Sequence, residues 1–506
     1  MSDVLIGQTY FLRFDPKLYQ AMQPYPPLGS LYAASYLRAH GYPAALFDAM
    51  LAESEDEWAA AIEREKPRFA VLFEDNFNYL SKMCLLRMRQ AAWRMIDMAR
   101  ERGCTVIVCG ADATDHAADY LACGADFVLL GEGEITLGEL LDRLTGKTRQ
   151  AFSEIAGLAY QESGQPRLNA RRPDISDLDA LPFPAWDLVD VEHYRSVWLE
   201  RHGYFSMNMV TTRGCPFHCN WCAKPIWGQR YHSRSPENVA AEMRWLKQTY
   251  HPDHLAFVDD IFGLKPGWIA RLAARLQAED AGIPFKCLNR VDLLLRPGEV
   301  EALAQAGAQT VWVGAESGSQ TVLDAMDKGT RVEQIYQARQ LLKDAGIQAG
   351  FFLQFGYPGE TRDDIERTIR MVRQAAPDDI GISVSYPLPG TRFHAAVRDQ
   401  LGQQQNWHDS DDLAMLYRGP FSTAFYRQLH RVVHKEFRVR KAWLRMREKA
   451  PWRERLTGLA RFAWHTVSLP LARWKLDRLA SSTSEADALP HLPHEAAASP
   501  TPQDRL

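Results

Sequence analysis

The stretch TTRGCPFHCNWCAKPIWG, residues 211–228, places three cysteines within eight positions. Cys215, Cys219 and Cys222 have a C-x3-C-x2-C spacing and follow a predicted strand directly. Three thiolates at this spacing can ligate three irons of a [4Fe–4S] cluster and leave the fourth iron without a protein ligand. The motif therefore predicts an iron–sulfur site with one open position for a reactant.

A structural zinc site is the main alternative for the same cysteines. Such a site usually has four ligands, so it would have to recruit His218 or a distant residue. His218 lies between two of the cysteines, where the chain geometry is unfavourable for ligation. Three unligated core cysteines are a further alternative, and the spacing favours the cluster over both.

Six strand–helix units are predicted in residues 205–400. The strands lie near MNMVTT, HLAFVDD, FKCLNR, TVWVGAE, AGFFLQFG and IGISVSYP, and a helical pattern follows each of the first five. This repeat predicts a partial (βα)6 barrel with functional groups at the carboxyl ends of its strands. Cys287 and Asn289 alternate in phase on the third strand, so both could point into the barrel, although core packing is the favoured interpretation of Cys287.

Residues 1–145 alternate short apolar runs with helical patterns, including a long helical stretch from Tyr79 to Arg102. The runs DVLIG, AALFDA, FAVLFE, VIVCG and FVLLGEGE are typical of buried parallel strands. This pattern predicts an α/β fold with a doubly wound parallel sheet, whose ligands bind outside the carboxyl ends of the strands. Residues 146–204 are predicted to form a linker that contains a short hairpin.

Small and polar residues cluster at that predicted edge of the sheet. Gly29, Gly110, Gly131 and Gly133 all fall in loops there, although each alone could be an ordinary turn residue. The string FEDNFNYLSKMC, residues 73–84, is unusually polar for the end of a buried strand. Its Asp and Asn side chains either face a ligand or form a solvated loop.

Length and composition limit the possible classes of protein. A chain of 506 residues predicts about three domains, and 46% hydrophobic with 24% charged residues excludes fibrous classes. Eight cysteines in so long a chain do not indicate a disulfide scaffold. The apolar runs are far shorter than the ~20 residues that span a bilayer, and the first residues lack a basic signal region, so we expect a cytoplasmic protein.

Charge is concentrated near the carboxyl terminus. Residues 427–478 contain fifteen Lys and Arg against four Asp and Glu, a net charge of +11 within a chain of net charge −4. This helical basic region, residues 401–480, also contains Trp443, Trp452, Trp464 and Trp474. The composition suits an anionic membrane surface, whereas solvated arginines and tryptophans that close the barrel are the alternative. Residues 481–506, rich in Ser, Pro and Ala, are predicted to be a disordered tail.

The cysteine loop, with Trp221 before its last cysteine, resembles the cluster motif of the radical S-adenosylmethionine (SAM) superfamily. The resemblance implies that SAM chelates the open iron and that its reductive cleavage yields a 5′-deoxyadenosyl radical. It also implies that three downstream elements, FVDDIFG, VGAESGS and GFFLQFGYPGET, contact SAM. Their candidate residues are Asp259, Asp260, Glu316, Ser317, Gly356, Pro358 and Gly359.

Two of these elements leave local alternatives open. FVDDIFG departs from the glycine-glycine-glutamate pattern that is usual at its position, although a carboxylate can still accept a hydrogen bond from the SAM ammonium group. Glu316 could merely cap a helix, and GYPGET could be a turn with Glu360 at a helix start.

The N-terminal region resembles the cobalamin-binding domain of class B radical SAM enzymes, through YPPLGSLYAASYLRAHGY and CGADATDHAADYLACGADFVLLGEGE. That group includes anaerobic oxidative cyclases and cobalamin-dependent methylases. No D-x-H-x-x-G string occurs, which implies a corrinoid held without a histidine on cobalt. The implied cobalamin contacts are Leu28, Gly29, Asp75, Asn76, Gly110, Ala111, Asp112, Thr114, Gly131, Glu132 and Gly133.

The resemblance implies methyl transfer to an unactivated carbon or phosphorus. Radical oxidative cyclisation or rearrangement without net methylation is the alternative, and an inactive cobalamin-binding sensor is the alternative from another class. The expected partners are a small-molecule substrate, such as a lipid-like compound or a secondary-metabolite precursor, and a one-electron reductant such as flavodoxin or ferredoxin. We expect no nucleic acid, and a peripheral contact of residues 427–478 with the inner membrane surface.

Overall fold

Two sheets and a C-terminal pair of long helices organise the chain in a computed structural model, which describes residues 2–222, 226–447 and 452–481. The N-terminal sheet has seven strands in the order β2-β1-β3-β4-β5-β6-β7. Strands β1 to β5 are parallel, as predicted, and helices cover both faces. The strands are β1 Val4–Gly7, β2 Ala44–Phe47, β3 Phe69–Phe73, β4 Thr105–Cys109, β5 Phe127–Leu129, β6 Leu158–Glu162 and β7 Gln165–Leu168.

The predicted hairpin of the linker belongs to this sheet. Strand β6 pairs antiparallel with β5, with Leu158 opposite Leu129, and β7 continues at the edge. Leu158 and Ala159 are fully buried, which explains the pairing, because an exposed hairpin would leave these side chains in water. The expectation of a hairpin inside a separate linker is therefore wrong.

The helices of this region connect its strands and lead into the second sheet. All five residues of β3 are buried, as expected for a strand that is covered on both faces. The helices are α1 Pro16–Ala21, α2 Leu28–Ala39, α3 Asp56–Glu65, α4 Tyr79–Lys82, α5 Leu86–Glu101, α6 Ala111–Asp115, α7 Ala117–Cys123, α8 Glu134–Leu144 and α9 Val191–His202.

The predicted long helix from Tyr79 to Arg102 is broken, which corrects the sequence-based expectation. Cys84, between α4 and α5, has a φ of 55°, in the left-handed region that interrupts a helix. The amides of Leu86 and Arg87 donate to the carbonyls of Trp407 and His408. These two hydrogen bonds join the N-terminal region to a segment more than 300 residues later in the chain.

The second sheet contains six parallel strands in the order β15-β14-β13-β12-β11-β8, which confirms the partial barrel. Strands β9 and β10 form a separate antiparallel ladder that flanks the cysteine loop. The strands are β8 Ser206–Met209, β9 Thr212–Arg213, β10 His232–Ser233, β11 His254–Phe257, β12 Phe285–Asn289, β13 Ala308–Glu316, β14 Gln348–Phe355 and β15 Asp379–Val384.

Helices follow the barrel strands in the predicted alternation. Cys287 and Asn289 on β12 are both buried, in agreement with their shared phase on the strand. The helices are α10 Pro236–Tyr250, α11 Trp268–Ala278, α12 Val291–Leu294, α13 Glu299–Ala306, α14 Gln320–Ala325, α15 Val332–Asp344, α16 Arg362–Ala375 and α17 Arg392–Val397.

The C-terminal region is a pair of contacting helices, α18 Thr423–Arg447 and α19 Trp452–Ser481. The first part of α18 packs on α16 and β15 with buried Phe425 and Val432. Trp443 is 43% exposed, so the idea that it closes the barrel as a core residue is wrong. The side chain of Trp452 and residues 482–506 of the predicted tail lie outside the described residues. Among the described helices, none has the length and apolarity that a membrane crossing requires.

Candidate functional site

The carboxyl edges of the two sheets face each other. Lys82, after β3, forms an ion pair of 2.7 Å with Asp260, which follows β11. Phe77, also after β3, stacks on Trp227 beyond the cysteine loop, with 5.2 Å between ring centroids. In open α/β sheets and in barrels, ligands bind at the carboxyl ends of the strands. The candidate site therefore lies where these two edges meet.

The cysteine loop is fixed at its base and in its middle. At the base, β9 pairs with β10. In the middle, Asn220 donates from its side chain to the carbonyl of Ala325 at 2.7 Å, and its amide donates to that of Met326 at 3.1 Å. The Tyr357 hydroxyl donates to Asn220 Oδ1 at 2.7 Å. Asn220 thus joins the cysteine loop to the loops that follow α14 and β14.

Cys215, Cys219 and Cys222 are all half-buried on this loop. Within the described residues, no three His, Cys, Asp or Glu side chains are gathered as metal ligands, so the thiols share a loop without converging on one point. The guanidinium group of Arg290 lies 4.0 Å from Cys219 Sγ and 3.6 Å from the centroid of the Phe217 ring. A cation at this position would stabilise negative charge on the loop.

Of the two aspartates after β11, only Asp259 points into the buried site. Its Oδ1 accepts from the amide of Thr211 at 2.8 Å and the hydroxyl of Thr212 at 2.6 Å, whereas its buried Oδ2 has no partner within the described chain. Burial raises the pKa of Asp259 to about 6. Asp260 is instead engaged by Lys82. Asp259 is therefore the better acceptor for an ammonium group that enters the site.

The VGAESGS element ends β13 in an irregular turn. Glu316 has a φ of 57°, and its carboxylate forms a buried ion pair of 2.7 Å with Lys328. The fully buried Ser317 hydroxyl accepts from the Ser319 amide at 3.1 Å. Because Ser319 occupies the N-cap position of α14, the alternative that Glu316 merely caps a helix is wrong.

The GYPGET element forms a tight turn after β14. Gly356 has a φ of 81°, donates its amide to Glu360 Oε2 at 2.6 Å and accepts from the Tyr417 hydroxyl at its carbonyl. Pro358 is buried, and Gly359 also has a positive φ, of 79°. Burial raises the pKa of Glu360 to about 8. The element is a turn, as its alternative states, and its role toward SAM stays a prediction.

Three glycines of the N-terminal edge have packing roles within the protein. A Cβ on Gly29 would lie 2.7 Å from the carbonyl oxygen of Glu74, and one on Gly110 would lie 2.7 Å from Glu74 Cγ. A Cβ on Gly133 would lie 2.4 Å from Cys109 Sγ. These close approaches require glycine even without a ligand, so they do not by themselves support cobalamin contact.

The polar candidates at the same edge also have protein partners. Asp75 accepts from the amide of Gly29 at 3.1 Å, and burial raises its pKa to about 6. Asp112 forms an ion pair with Arg89. The remaining positions are buried Leu28 and Ala111, and Thr114, which accepts from the Gly131 amide at 3.1 Å. Their contacts with cobalamin stay predictions.

Glu132, predicted to contact cobalamin, binds the base of the cysteine loop. Arg213 donates to Glu132 at 2.8 Å and to Glu134 at 2.7 Å, and these three side chains are almost fully buried. Trp227, on the far side of the loop, donates its indole N–H to the same Glu132 oxygen at 2.9 Å. One carboxylate of the N-terminal sheet thus holds both ends of the cysteine loop. This contact is not evident from the sequence, although GEGE and TTRGC supply complementary charges.

Buried hydrogen-bonding atoms without a partner occur in the described segments that follow strands of both sheets. Within the described residues, buried Asn76 Oδ1 and Ser81 Oγ after β3, and Asp259 Oδ2 after β11, have no partner. A buried polar atom without a partner costs about 1–3 kcal/mol. Polar ligand groups at the interface of the sheets would remove this cost, so the residues present fit a bound polar cofactor.

Comparison with known families agrees with this geometry. Residues 209–372, which contain the cysteine loop and strands β11 to β14, match the family model described as the radical SAM superfamily. These residues form a radical SAM domain. An uncharacterized methyltransferase of Pyrococcus horikoshii is 32% identical over 285 residues, which are 56% of this chain and 60% of that protein. The chain therefore spans about three fifths of this relative's length.

Two further proteins share more of the chain. The anaerobic magnesium-protoporphyrin IX monomethyl ester cyclase of Rubrivivax gelatinosus is 27% identical over 391 residues, 74% of this chain and 67% of that protein. The structure of the radical SAM methyltransferase TsrM from Kitasatospora setae, with cobalamin and a [4Fe–4S] cluster bound, aligns with a TM-score of 0.64 at 17% identity. That alignment covers 79% of this chain and 75% of TsrM, and it shows that the two chains share a fold over the aligned part.

Proposed function

We propose that this chain is a cobalamin-dependent radical SAM enzyme that methylates an unactivated carbon or phosphorus of a small molecule. The observation that carries the proposal is the attachment of the cysteine loop, through Arg213, to Glu132 of the N-terminal edge. This attachment holds a candidate cluster loop opposite a sheet of the cobalamin-binding type. The methyltransferase names of the relatives support methyl transfer.

The cysteine loop and Asp259 would supply the protein's contacts to the cluster and to SAM. Cys215, Cys219 and Cys222 would ligate a [4Fe–4S] cluster, and Asp259 Oδ2 would accept a hydrogen bond from the SAM ammonium group. When bound, the cluster would supply the reductive cleavage of SAM, and cobalamin would supply the methyl group for transfer. The closed contact between the two sheet edges would exclude water from the reacting groups.

Cobalamin would sit at the N-terminal edge without a protein histidine on cobalt. His116, at the junction of α6 and α7, lies 3.5 Å from the Asp119 carboxylate and 4.0 Å from that of Asp112. Both ring nitrogens of His116 thus face carboxylates of its own helical segment. Electron paramagnetic resonance of the Co(II) form should therefore show no superhyperfine splitting from an axial imidazole nitrogen.

Radical oxidative cyclisation without net methylation is the second candidate function, because the cyclase of Rubrivivax gelatinosus aligns with 74% of this chain. An inactive cobalamin-binding sensor remains the alternative from another class. We further propose a one-electron reductant such as flavodoxin or ferredoxin, a cytoplasmic location, and a peripheral membrane contact through residues 427–478.

Anaerobic reconstitution tests the proposed function. The reduced protein with cobalamin and methyl-deuterated SAM should form 5′-deoxyadenosine and transfer the label to a candidate substrate, as read by mass spectrometry. Cys219→Ala should lose most of its iron and its SAM cleavage. 5′-Deoxyadenosine with an unmethylated, dehydrogenated product would favour cyclisation. Full iron content and SAM cleavage in Cys219→Ala would overturn the cluster assignment.

A further inference from the structure

Helix α19 presents a continuous apolar stripe to solvent. Trp464, Val467, Leu471 and Trp474 are 70%, 80%, 57% and 53% exposed. Their spacing of three, four and three residues places them on one face of the helix. Isolated apolar residues on a surface are ordinary, whereas four large ones in a row are typical of an interaction surface. We call Trp464, Val467, Leu471 and Trp474 the apolar stripe.

The opposite face of α19 is the one that packs on the protein. Ala472 and Leu476 are buried, and the carbonyl of Ala472 accepts from Gln428 of α18 at 2.8 Å. Ser468, one turn earlier, accepts from Lys435 at 3.0 Å. The helix is therefore fixed by its inner face, and the apolar stripe is not needed to hold α19 in place.

Exposed basic side chains lie beside the stripe at its carboxyl-terminal end. Lys475 and Arg478 are exposed, and the Arg478 guanidinium lies 5.1 Å from the Trp474 ring centroid. Among the side chains of α18 and α19 that the structure describes, Glu436 and Asp477 are the acidic ones, and both are paired with arginines. Glu436 binds Arg373 and Arg473, and Asp477 binds Arg362.

We infer that the apolar stripe lies in the interface of an anionic lipid membrane, with Lys475 and Arg478 against the lipid headgroups. Tryptophan is favoured at membrane–water interfaces because its ring is apolar and its N–H is polar. A second copy of this chain fits less well, because residues 427–478 carry a net charge of +11 and two such regions would repel. The inference specifies the face and the lipid charge for the proposed peripheral contact, on which it rests.

Flotation of the full-length protein with vesicles tests this inference. Binding is expected to vesicles of phosphatidylglycerol and phosphatidylcholine at low salt, and at least tenfold less to phosphatidylcholine alone. The variant Trp464→Gln/Trp474→Gln should lose at least tenfold in binding to the anionic vesicles. Trp93→Gln is the matched control, since Trp93 is 37% exposed on α5, far from α19 in sequence, and this variant should bind as the wild type does.

A charge variant and the oligomeric state distinguish binding to an anionic membrane from binding to a second copy of this chain. Lys475→Glu/Arg478→Glu should also lose vesicle binding, with the melting temperature unchanged because both residues are exposed. Equal binding of wild type and stripe variant would overturn the inference, as would concentration-dependent dimers that the stripe variant abolishes. Vesicle binding needs no SAM or reductant, so its failure is independent of whether the radical chemistry is found.

Discussion

Glu132 and Arg213, 81 positions apart in the chain, form a buried ion pair of 2.8 Å that joins the N-terminal sheet to the base of the cysteine loop. Each side chain is only 4% exposed, so neither charge is stabilised by bulk water. Glu134 completes the arrangement on the other guanidinium nitrogen. The pair therefore makes the position of the loop depend on the folded N-terminal domain.

Arg213→Met should strongly destabilise the protein, because it leaves two buried carboxylates without their cation. Breaking a buried pair by removing one partner costs about 3–5 kcal/mol. Arg38→Met is the control, since Arg38 forms an exposed pair with Asp187 that is worth about 1 kcal/mol or less. Urea unfolding followed by circular dichroism measures both variants. Equal shifts in the two midpoints would contradict a special role for Arg213.

Asn220→Ala should loosen the cysteine loop and lower the iron content after reconstitution. The change removes the side-chain bonds to Ala325 and Tyr357. Tyr357→Phe removes one of these bonds and keeps the donor to Ala325, so its loss of iron should be smaller. Iron analysis per chain and hydrogen exchange of the loop amides measure the effect. Unchanged exchange in Asn220→Ala would show that Asn220 does not hold the loop.

Gly29→Ala should destabilise the N-terminal domain, because the new Cβ would meet the carbonyl oxygen of Glu74 at 2.7 Å. Overpacking of this kind costs about 1–3 kcal/mol. Gly282→Ala is the control, since nothing lies within 4 Å of its Cβ position and its φ is not in the left-handed region. Thermal unfolding should separate the two variants, and a wild-type melting temperature for Gly29→Ala would refute the packing argument.

Glu360 should make the stability of the ligand-free protein fall between pH 4.5 and 8. Burial raises its folded pKa from 4.5 to about 8, so in that window the unfolded chain releases a proton that the folded protein retains. Each pH unit there costs the folded state up to about 1.4 kcal/mol. Glu360→Gln should flatten this fall, because the glutamine amide does not titrate in this range, while its oxygen can still accept from the Gly356 amide.

Exposed Glu301→Gln is the control for the pH experiment, and its pH profile should match that of the wild type. Urea midpoints at pH 5, 6, 7 and 8 give the comparison. A Glu360→Gln profile parallel to that of the wild type over this range would show that Glu360 does not keep its proton in the folded protein.

The strands of both sheets could be predicted from sequence because each is a short, buried apolar run. FAVLF and TVIVC are apolar because helices cover both faces of their strands, so local composition reports their environment. The long helix from Tyr79 was predicted wrongly because the bonds that break it come from Trp407 and His408, which no local pattern contains.

The candidate site was predictable only where chemistry depends on local spacing. Cys215, Cys219 and Cys222 stand out because they lie within eight positions of the sequence. Glu132 binds Arg213, a contact that the sequence does not indicate because it is set by tertiary structure, and its contact with cobalamin stays a prediction. The sequence does not distinguish the roles of Asp259 and Asp260. The structure shows that Asp259 is the buried carboxylate and that Asp260 is paired with Lys82.

The segment between α1 and α2 can complete its contacts only late in the synthesis of the chain. The Pro24 carbonyl accepts from Trp198, 174 positions later, and the Pro26 carbonyl accepts from Asn208, 182 positions later. A chain that leaves the ribosome amino terminus first makes this segment long before its partners. The nascent N-terminal domain must therefore emerge with an unfinished edge, and this edge is completed only when α9 and β8 have left the exit tunnel.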